Sequence, residues 1–257
     1  MDPFPFVTSS QGVIAALVHM LRTSFDNAIL SFVAATLCSI AMHEGSRPVL
    51  VTEGAVAPLA NLCGKCQDGA VLAHATQALV NVALHAATRG NVVADGAVRP
   101  LVQLCTWSQD ATVLGNAAGA LGILARHEES RARIVADGAV RPLVQLCTWS
   151  KDGTVLGNAA GALANLARHA PSAPQIVHEG AVAPLANLAA TSTDTTVLVC
   201  AALSVCRLIA SGVSLGAREK AAARDGLTKA QRTLNTQGKM PKYLVEPLAQ
   251  AIASASS

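Results

Sequence analysis

The sequence predicts an all-α solenoid, a row of similar helical repeats, on the strength of two observations. Residues 93–108, VADGAVRPLVQLCTWS, recur letter for letter at residues 135–150, 42 positions later. The same register contains VTEGAVAPLANLC from Val51, VHEGAVAPLANLA from Val177 and the degenerate SSQGVIAALVHML from Ser9. A period of about 40–47 residues is typical of stacked two- or three-helix repeats. Function is therefore expected on the long surface of such a stack.

The short first helix and the second helix of each repeat are predicted from glycine and proline. Gly96 is predicted to turn the chain between them, because glycine accepts dihedrals that other residues resist. Its counterparts in the other repeats are Gly12, Gly54, Gly138 and Gly180. In every repeat except the first, a proline lies four residues after the glycine, at Pro58, Pro100, Pro142 and Pro184. Proline is tolerated in a first helical turn, so these positions predict the start of the second helix.

The third helix is predicted from its cap and from its apolar spacing. Asp110 or Thr112 is expected to cap its start. Val113, Ala117, Ala120, Leu121 and Leu124 then form a buried stripe at helical spacing. One period later the same positions hold Val155, Ala159, Ala162, Leu163 and Leu166. No strand-like alternation is present, so the prediction is helical throughout.

Composition and charge limit the classes of partner. Of 257 residues, 51% are hydrophobic and 14% charged, with a net charge of +3 and no basic run, which argues against nucleic acid. The most membrane-like stretch, residues 195–215, contains Arg207 and keeps the repeat register, so we expect no membrane insertion. The period predicts one domain over residues 1–257, with five repeats at 9–211 and a degenerate capping repeat at 212–257. Oligomeric state is left open, with a monomer favoured.

The cysteines predict free thiols. Cys63, Cys105 and Cys147 share one position of the repeat and read as small buried hydrophobes. Cys63 and Cys66 form a lone CxxC, for which a zinc or redox site is the alternative, although a structural zinc site needs a second pair of ligands. Free thiols indicate a reducing compartment. Together with a start, MDPFPFVTSSQ, that lacks signal-peptide character, they predict a cytoplasmic location, or a nuclear one.

Four histidines recur at intervals of 42, directly after the third helices: His43, His85, His127 and His169. We interpret them as C-terminal caps, because histidine tolerates left-handed dihedrals and its charged form suits the negative end of a helix. The alternative is a metal-binding or pH-sensing ladder. Copies in neighbouring repeats are about 10 Å apart, too far to share one ion.

The glycine followed by APL, the long helix ending in ALANLA and the preceding ARIVADG resemble the armadillo repeat. HEAT repeats are the structural rival. The resemblance implies a right-handed superhelix of about five to six repeats. It also implies a concave groove, lined by the third helices, that binds an extended segment of a partner protein. An asparagine near the end of the third helix clamps the bound backbone in that family, and Asn81 and Asn165 match it.

Neighbouring positions extend the predicted groove and argue against one use of it. The groove is predicted to comprise His74, Gln77, Asn81, Asn116, Asn158, Asn165 and Arg207. The tryptophans of nuclear import receptors are absent, since Ala35, Gln77, Gly119, Gly161 and Leu203 occupy that column. Cargo binding by a transport receptor is thus the disfavoured alternative to a non-catalytic protein-binding scaffold. No catalytic constellation, cofactor site or metal site is predicted.

Trp107 and Trp149 stand out in a chain with 3% aromatic residues. Both are predicted in the turn between the second and third helices. Tryptophan is enriched at interface hot spots, so these two residues form a possible ridge contact with a partner. Packing across the junction between repeats is the equal alternative.

Overall fold

The computed structural model describes residues 5–256, with side chains from residue 12 onward, and within that range it contains helices and no strands. Residues 1–4, part of the N-terminal stretch that was predicted not to be a signal peptide, lie outside the described residues. The chain divides into two compact units, Met1–Ser130 and Arg131–Ser257, which we call the N-terminal and C-terminal units. The fold class is that predicted: an all-α solenoid of helical repeats.

The third helices are the longest regular elements of the repeats. They are α2 (Asn27–Met42), α5 (Gly69–Leu84), α8 (Ala111–Leu124), α11 (Gly153–Leu166) and α14 (Thr195–Ala210). An aspartate caps each of them: Asp26, Asp68, Asp110, Asp152 and Asp194. Each carboxylate accepts a hydrogen bond from backbone N–H groups that the first helical turn leaves unpaired. Of the two predicted caps, Asp110 is therefore the one used.

The predicted apolar stripe of the third helices is buried. Val113 and Leu124 in α8, and Val155 and Leu166 in α11, are fully buried, as are the alanines between them. Small alanines at two of the five stripe positions leave room for close contact between helices. Burying each large aliphatic side chain contributes roughly 1.5–3 kcal/mol, so this stripe is a main source of stability in each repeat.

The second helices begin as the prolines predict. They are α1 (Pro5–Thr23), α4 (Val56–Lys65), α7 (Val98–Trp107), α10 (Val140–Trp149) and α13 (Val182–Thr191). In the last four, proline is the third helical residue, where its missing N–H costs no intrahelical hydrogen bond. Trp107 and Trp149 are the last residues of α7 and α10, so placing them in the following turn was wrong by one residue.

The first helices are short. They are α3 (Ser46–Thr52), α6 (Arg89–Ala94), α9 (Glu128–Ala136) and α12 (Ala173–His178). Each is followed by a glycine with positive φ, from 68° at Gly54 to 87° at Gly138, which confirms the predicted turn. Gly12 is the exception, because it lies inside α1, where no turn occurs. The first repeat accordingly begins at its second helix.

The N-terminal unit is built by third helices packed in sequence, α2 on α5 and α5 on α8. Each second helix packs against the third helix of its own repeat, α4 against α5 and α7 against α8. The largest buried side chains include Leu37, Leu79 and Leu121, one from each third helix and all in the same column. The repeat thus forms a continuous row of leucines inside this unit.

The C-terminal unit pairs α11 with α14 in the same way and ends differently. In the last repeat one helix, α15 (Ala217–Thr236), replaces the short first helix and the second helix, and α16 (Lys242–Ser254) packs on α14. Gly226 lets α15 approach α13 closely, because a Cβ there would lie 2.4 Å from the Ala186 carbonyl oxygen. The prediction of a polar, atypical last repeat did not foresee this contact.

Candidate functional site

Each third helix presents one side built from four columns of the repeat, which we call its third-helix face. Residues spaced by three, four and three lie on one side of a helix. In the N-terminal unit the faces are Phe32, Ala35, Ser39 and Met42 on α2; His74, Gln77, Asn81 and Leu84 on α5; and Asn116, Gly119, Ile123 and Arg126 on α8. In the C-terminal unit they are Asn158, Gly161, Asn165 and Arg168 on α11, and Cys200, Leu203, Arg207 and Ala210 on α14.

Asn81, which the resemblance places in the groove, joins two helices through its side chain. The side chain is buried, at 8% exposure. Its Nδ2 donates to the backbone carbonyl of Cys38 on α2 at 3.3 Å, and its Oδ1 accepts from Gln77 Nε2 at 3.1 Å. The amide thus connects the third helices of two repeats, and donating its Nδ2 to a ligand would compete with the bond to Cys38.

Asn116 makes a similar connection one repeat later. Its Nδ2 donates to the backbone carbonyl of Ala73 and to the Thr76 hydroxyl, each at 3.3 Å. Both acceptors lie on α5, whereas Asn116 is on α8. The two asparagines therefore repeat one structural device, an amide donating to a carbonyl of the preceding third helix 43 residues earlier.

Arg207 and Ser204 perform the same task in the C-terminal unit. The Ser204 hydroxyl donates to the Ala160 carbonyl at 2.7 Å, and Arg207 Nη1 donates to the Ala164 carbonyl at 2.8 Å. Arg207 Nη1 also donates to Asn165 Oδ1 at 3.2 Å, so two predicted groove residues contact each other directly. Burial lowers the pKa of Arg207, and the charges of Arg168 and Arg131 lower it further.

His74 and Gln77 keep polar atoms available on the face of α5. Both side chains are half-buried. The amide nitrogen of Gln77 is used by Asn81, whereas its Oε1 accepts no hydrogen bond from the described residues. An acceptor at this place can receive a backbone N–H from an extended segment.

Large apolar side chains on the same faces were missed by the sequence analysis. Phe32 is 71% exposed, Met42 69% and Leu84 42%. Phe32 occupies the column that holds His74 and Asn116 in the next repeats. That departure from the repeat was visible in the sequence, since a phenylalanine in an otherwise polar column of a solvent-facing helix side signals a contact surface.

The two tryptophans are half-exposed, 48% for Trp107 and 54% for Trp149. Among the residues that the structure describes, no hydrogen-bond acceptor is placed on either indole N–H. Their exposure favours the contact interpretation over packing across the repeat junction, and each lies in a different compact unit.

The cysteine column is buried as predicted. Burial raises the pKa of Cys63, Cys105 and Cys147 to about 12 each. Cys66 is half-buried and its thiol is 3.9 Å from Asn27 Oδ1. Within the described residues, no group of three or more His, Cys, Asp or Glu is placed to hold a metal ion. That the protein binds no metal stays a prediction.

The histidines do not adopt the predicted left-handed cap. His43 and His85 are the C-cap residues directly after α2 and α5, but with extended backbone at φ −81° and −75°. Among the described residues, only glycines have positive φ. An extended residue at this position ends the third helix and redirects the chain, because the first helix of the next repeat begins only a few residues later.

The histidine rings differ between repeats. Nδ1 of His127 lies 2.7 Å from the Ser130 hydroxyl, and the same distance separates His169 from Ser172. The corresponding residue after His85 is Thr88, whose hydroxyl donates to the Val82 carbonyl at 2.7 Å. Nδ1 of His85 is therefore buried without a hydrogen-bond partner.

A cavity of about 510 Å³ opens between α14 and α16 in the C-terminal unit. Its walls include Leu203 and Arg207 of the α14 face, together with Tyr243, Pro247 and Gln250 of α16. No single described helix is long and apolar enough to cross a membrane. The α5 helix and residues 86–94 together have the length and apolar composition of a membrane span, but they are bent by 111° relative to each other.

Comparison with known proteins identifies the repeat. The family model "Armadillo/beta-catenin-like repeat" matches residues 87–126 and 127–168. No curated protein sequence matches the chain. Among solved structures, an engineered protein is 30% identical with a TM-score of 0.79, over 95% of this chain and 96% of that one.

Two designed armadillo repeat proteins, each 23% identical, share the fold. One has a TM-score of 0.78, and the other, in complex with the peptide (KR)4, has a TM-score of 0.75. Each match covers 94% of this chain and 99% of the designed chain. The helix order, the turn glycines and the matched repeat model agree, and on these grounds the chain belongs to the armadillo repeat family.

Proposed function

We propose that the chain is a non-catalytic scaffold whose third-helix faces in the N-terminal unit bind an extended segment of a partner protein. The observation that carries this proposal is the exposure of Phe32, Met42 and Leu84 on these faces. Large apolar side chains that face water together, beside polar groups, mark interaction surfaces.

The chemistry of these faces suits a peptide with apolar side chains. Phe32 lies near the start of α2, whereas Met42 and Leu84 end α2 and α5. Covering the exposed part of each of them contributes at most roughly 1.5–3 kcal/mol, and least for Leu84, which is 42% exposed. On the face of α5, Gln77 Oε1 and the His74 ring offer hydrogen-bonding positions to a backbone. Contacts of this kind give moderate affinity with preferences set by one or two apolar side chains.

The comparisons support the fold's capacity for such a ligand. A designed protein of the same fold is in complex with the peptide (KR)4. At 23% identity the two proteins share the fold, but this does not show that they share a ligand. The chemistry of the ligand is therefore inferred from the residues of this chain. The aromatic column of nuclear import receptors is absent, which disfavours basic cargo. Seven free cysteines support a cytoplasmic or nuclear location as part of the same proposal.

The test uses exposed residues, because removing buried Asn81 would disturb the fold. Peptides are selected from a random library on the purified chain, and their binding is mapped by hydrogen exchange. Phe32→Ser with Met42→Ser is expected to weaken the selected peptides about tenfold or more, while α2 and α5 gain protection in the wild type. Phe25→Ser is the matched control, since Phe25 is 95% exposed and lies outside α2.

A specific observation favours a second surface, namely the half-exposed Trp107 and Trp149. If the selected peptides protect α7 or α10 instead, and Trp107→Ser rather than Phe32→Ser abolishes binding, the ridge is the binding surface and the third-helix proposal is wrong.

A further inference from the structure

The cavity between α14 and α16 has a size and composition that suit a bound side chain. Its volume of about 510 Å³ is in the range of roughly 300–1,000 Å³ typical of ligand sites. Leu203, Ala210 and Pro247 supply apolar wall, and Tyr243 is an exposed aromatic ring at the same cavity. Nothing in the repeat pattern requires this cavity, because α16 belongs to the atypical last repeat.

One cationic group lines the cavity with part of its hydrogen-bonding capacity unused. Arg207 is half-buried, and its Nη1 donates to the Ala164 carbonyl and to Asn165 Oδ1. Nε and Nη2 have no hydrogen-bond partner among the described residues. A guanidinium presents five N–H donors in a planar fork that matches a carboxylate. The unused edge of Arg207 is therefore suited to receive an anionic group.

Charges around Arg207 reinforce this conclusion. Arg168 and the buried Arg131 add positive charge near it, and after burial, which is the main cause, these charges also lower the pKa of Arg207. No Asp or Glu is among the residues that line the cavity, and Glu246 of α16 accepts a hydrogen bond from the lining residue Gln250 at 3.0 Å. The C-terminal unit as a whole carries 13 Lys and Arg against 7 Asp and Glu. An anion is attracted to such a surface before it reaches the cavity.

We propose that this cavity binds an acidic segment of a partner protein. A carboxylate of that segment pairs with the free edge of Arg207, and a neighbouring large apolar side chain occupies the space against Leu203 and Pro247. The proposal goes beyond the proposed function, because it concerns another compact unit and a ligand of different chemistry. Either proposal can fail without the other.

The probe is a fluorescein-labelled peptide, GDLDFDGG, with binding followed by fluorescence anisotropy. Its uncharged analogue GNLNFNGG and its analogue without apolar side chains, GDGDGDGG, are expected to bind about tenfold more weakly or worse. Hydrogen-exchange protection on α14 and α16 is expected with the first peptide. Phe32→Ser with Met42→Ser is expected to leave its affinity unchanged, which separates this result from the test of the proposed function.

Matched variants locate the site without removing the structural bonds of Arg207. Ala210 lines the cavity and its side chain is exposed. Ala210→Glu places a competing carboxylate there and is expected to weaken GDLDFDGG about tenfold, whereas Ala210→Gln changes affinity by less than about twofold. Ala221→Glu adds the same charge at an exposed position of α15 and is also expected to stay within about twofold.

Three results would overturn the proposal. The first is equal binding of GDLDFDGG and GNLNFNGG. The second is equal weakening by Ala210→Glu and Ala221→Glu, which would indicate attraction to net charge alone. The third is displacement of the peptide by sodium octanoate at the peptide's own concentration, which would assign the cavity to a small amphiphilic anion.

Discussion

The two compact units share one internal design and differ on their surfaces. In both, a side chain of one third helix donates to a carbonyl of the preceding third helix, through Asn81 and Asn116 in the N-terminal unit and Ser204 and Arg207 in the C-terminal unit. The N-terminal unit has six Lys and Arg against nine Asp and Glu, a net −3, whereas the C-terminal unit has a net +6. Repetition therefore preserves the core, while the surface is free to diverge.

Among the described residues, exposed large apolar side chains are more numerous in the N-terminal unit. Eight belong to that unit, including Phe32, Met42, Leu84 and Trp107, whereas three, Trp149, Tyr243 and Val245, belong to the C-terminal unit. Surface side chains contribute little to folding, so the repeat constrains them weakly. This difference between the surfaces is the basis of the two proposals, an apolar segment for the N-terminal unit and an acidic segment for the C-terminal unit.

The largest expected effect breaks a contact that only the C-terminal unit has. Gly226→Ala should lower the free energy of unfolding of that unit by about 3 kcal/mol or more, because the new Cβ would overlap the Ala186 carbonyl on α13. Chemical denaturation followed by helical circular dichroism measures it. Gly161→Ala is the control, because its Cβ would lie 3.6 Å from Cys200 Sγ, an ordinary contact distance. This substitution should raise the free energy of unfolding by roughly 0.5–1 kcal/mol, since alanine loses less conformational freedom in a helix than glycine. Equal effects of the two substitutions would contradict the close approach of α15.

Alkaline pH should destabilise both units similarly, because each contains buried thiols of raised pKa. Cys63 and Cys105 titrate at about 12 in the folded N-terminal unit, as do Cys147 and Cys206 in the other, against an ordinary value of 9.0. A pKa raised by folding contributes stability below pH 9 that is lost as pH rises toward 12. Each thiol should cost somewhat more than about 1 kcal/mol by pH 10, so the two in each unit together should cost about 2–3 kcal/mol.

Denaturation at pH 8 and pH 10 checks this expectation, with Cys105→Ala as the comparison. The variant should lose less stability between the two pH values than the wild type, whatever its stability at pH 8. An unchanged difference would show that Cys105 ionises equally in folded and unfolded chains.

The smallest expected effect concerns the bond between α2 and α5. Asn81→Ala should lower the free energy of unfolding by about 1–2 kcal/mol, because a buried amide with partners on both helices is removed. Ser39→Ala, in the same column on α2, should change it by less than about 0.5 kcal/mol, since Ser39 is exposed. Thermal unfolding measures the stability of both variants. Equal losses of stability would show that the Asn81 amide does not join the helices.

Much of the candidate site escaped sequence analysis for an identifiable reason. Asn81 was correctly placed on the third-helix face, but its burial depends on how closely α2 packs beside it. Arg207 was expected in the groove, whereas its bonds to Ala164 and Asn165 require the neighbouring helix. Column position gives the direction of a side chain. It does not give the distance to the next helix, and that distance decides whether an amide meets water or a carbonyl.

The sequence by itself determined the repeat, the helical class, the turn glycines, the aspartate cap and the buried stripe. All of these depend on local dihedral preferences and on periodicity within one repeat. The tertiary structure alone decided that α15 is one continuous helix against α13, that Gly226 is needed there, and that a cavity lies between α14 and α16. These features arise from contacts between helices of different repeats, where the shapes of two surfaces set the separation and no local pattern records it.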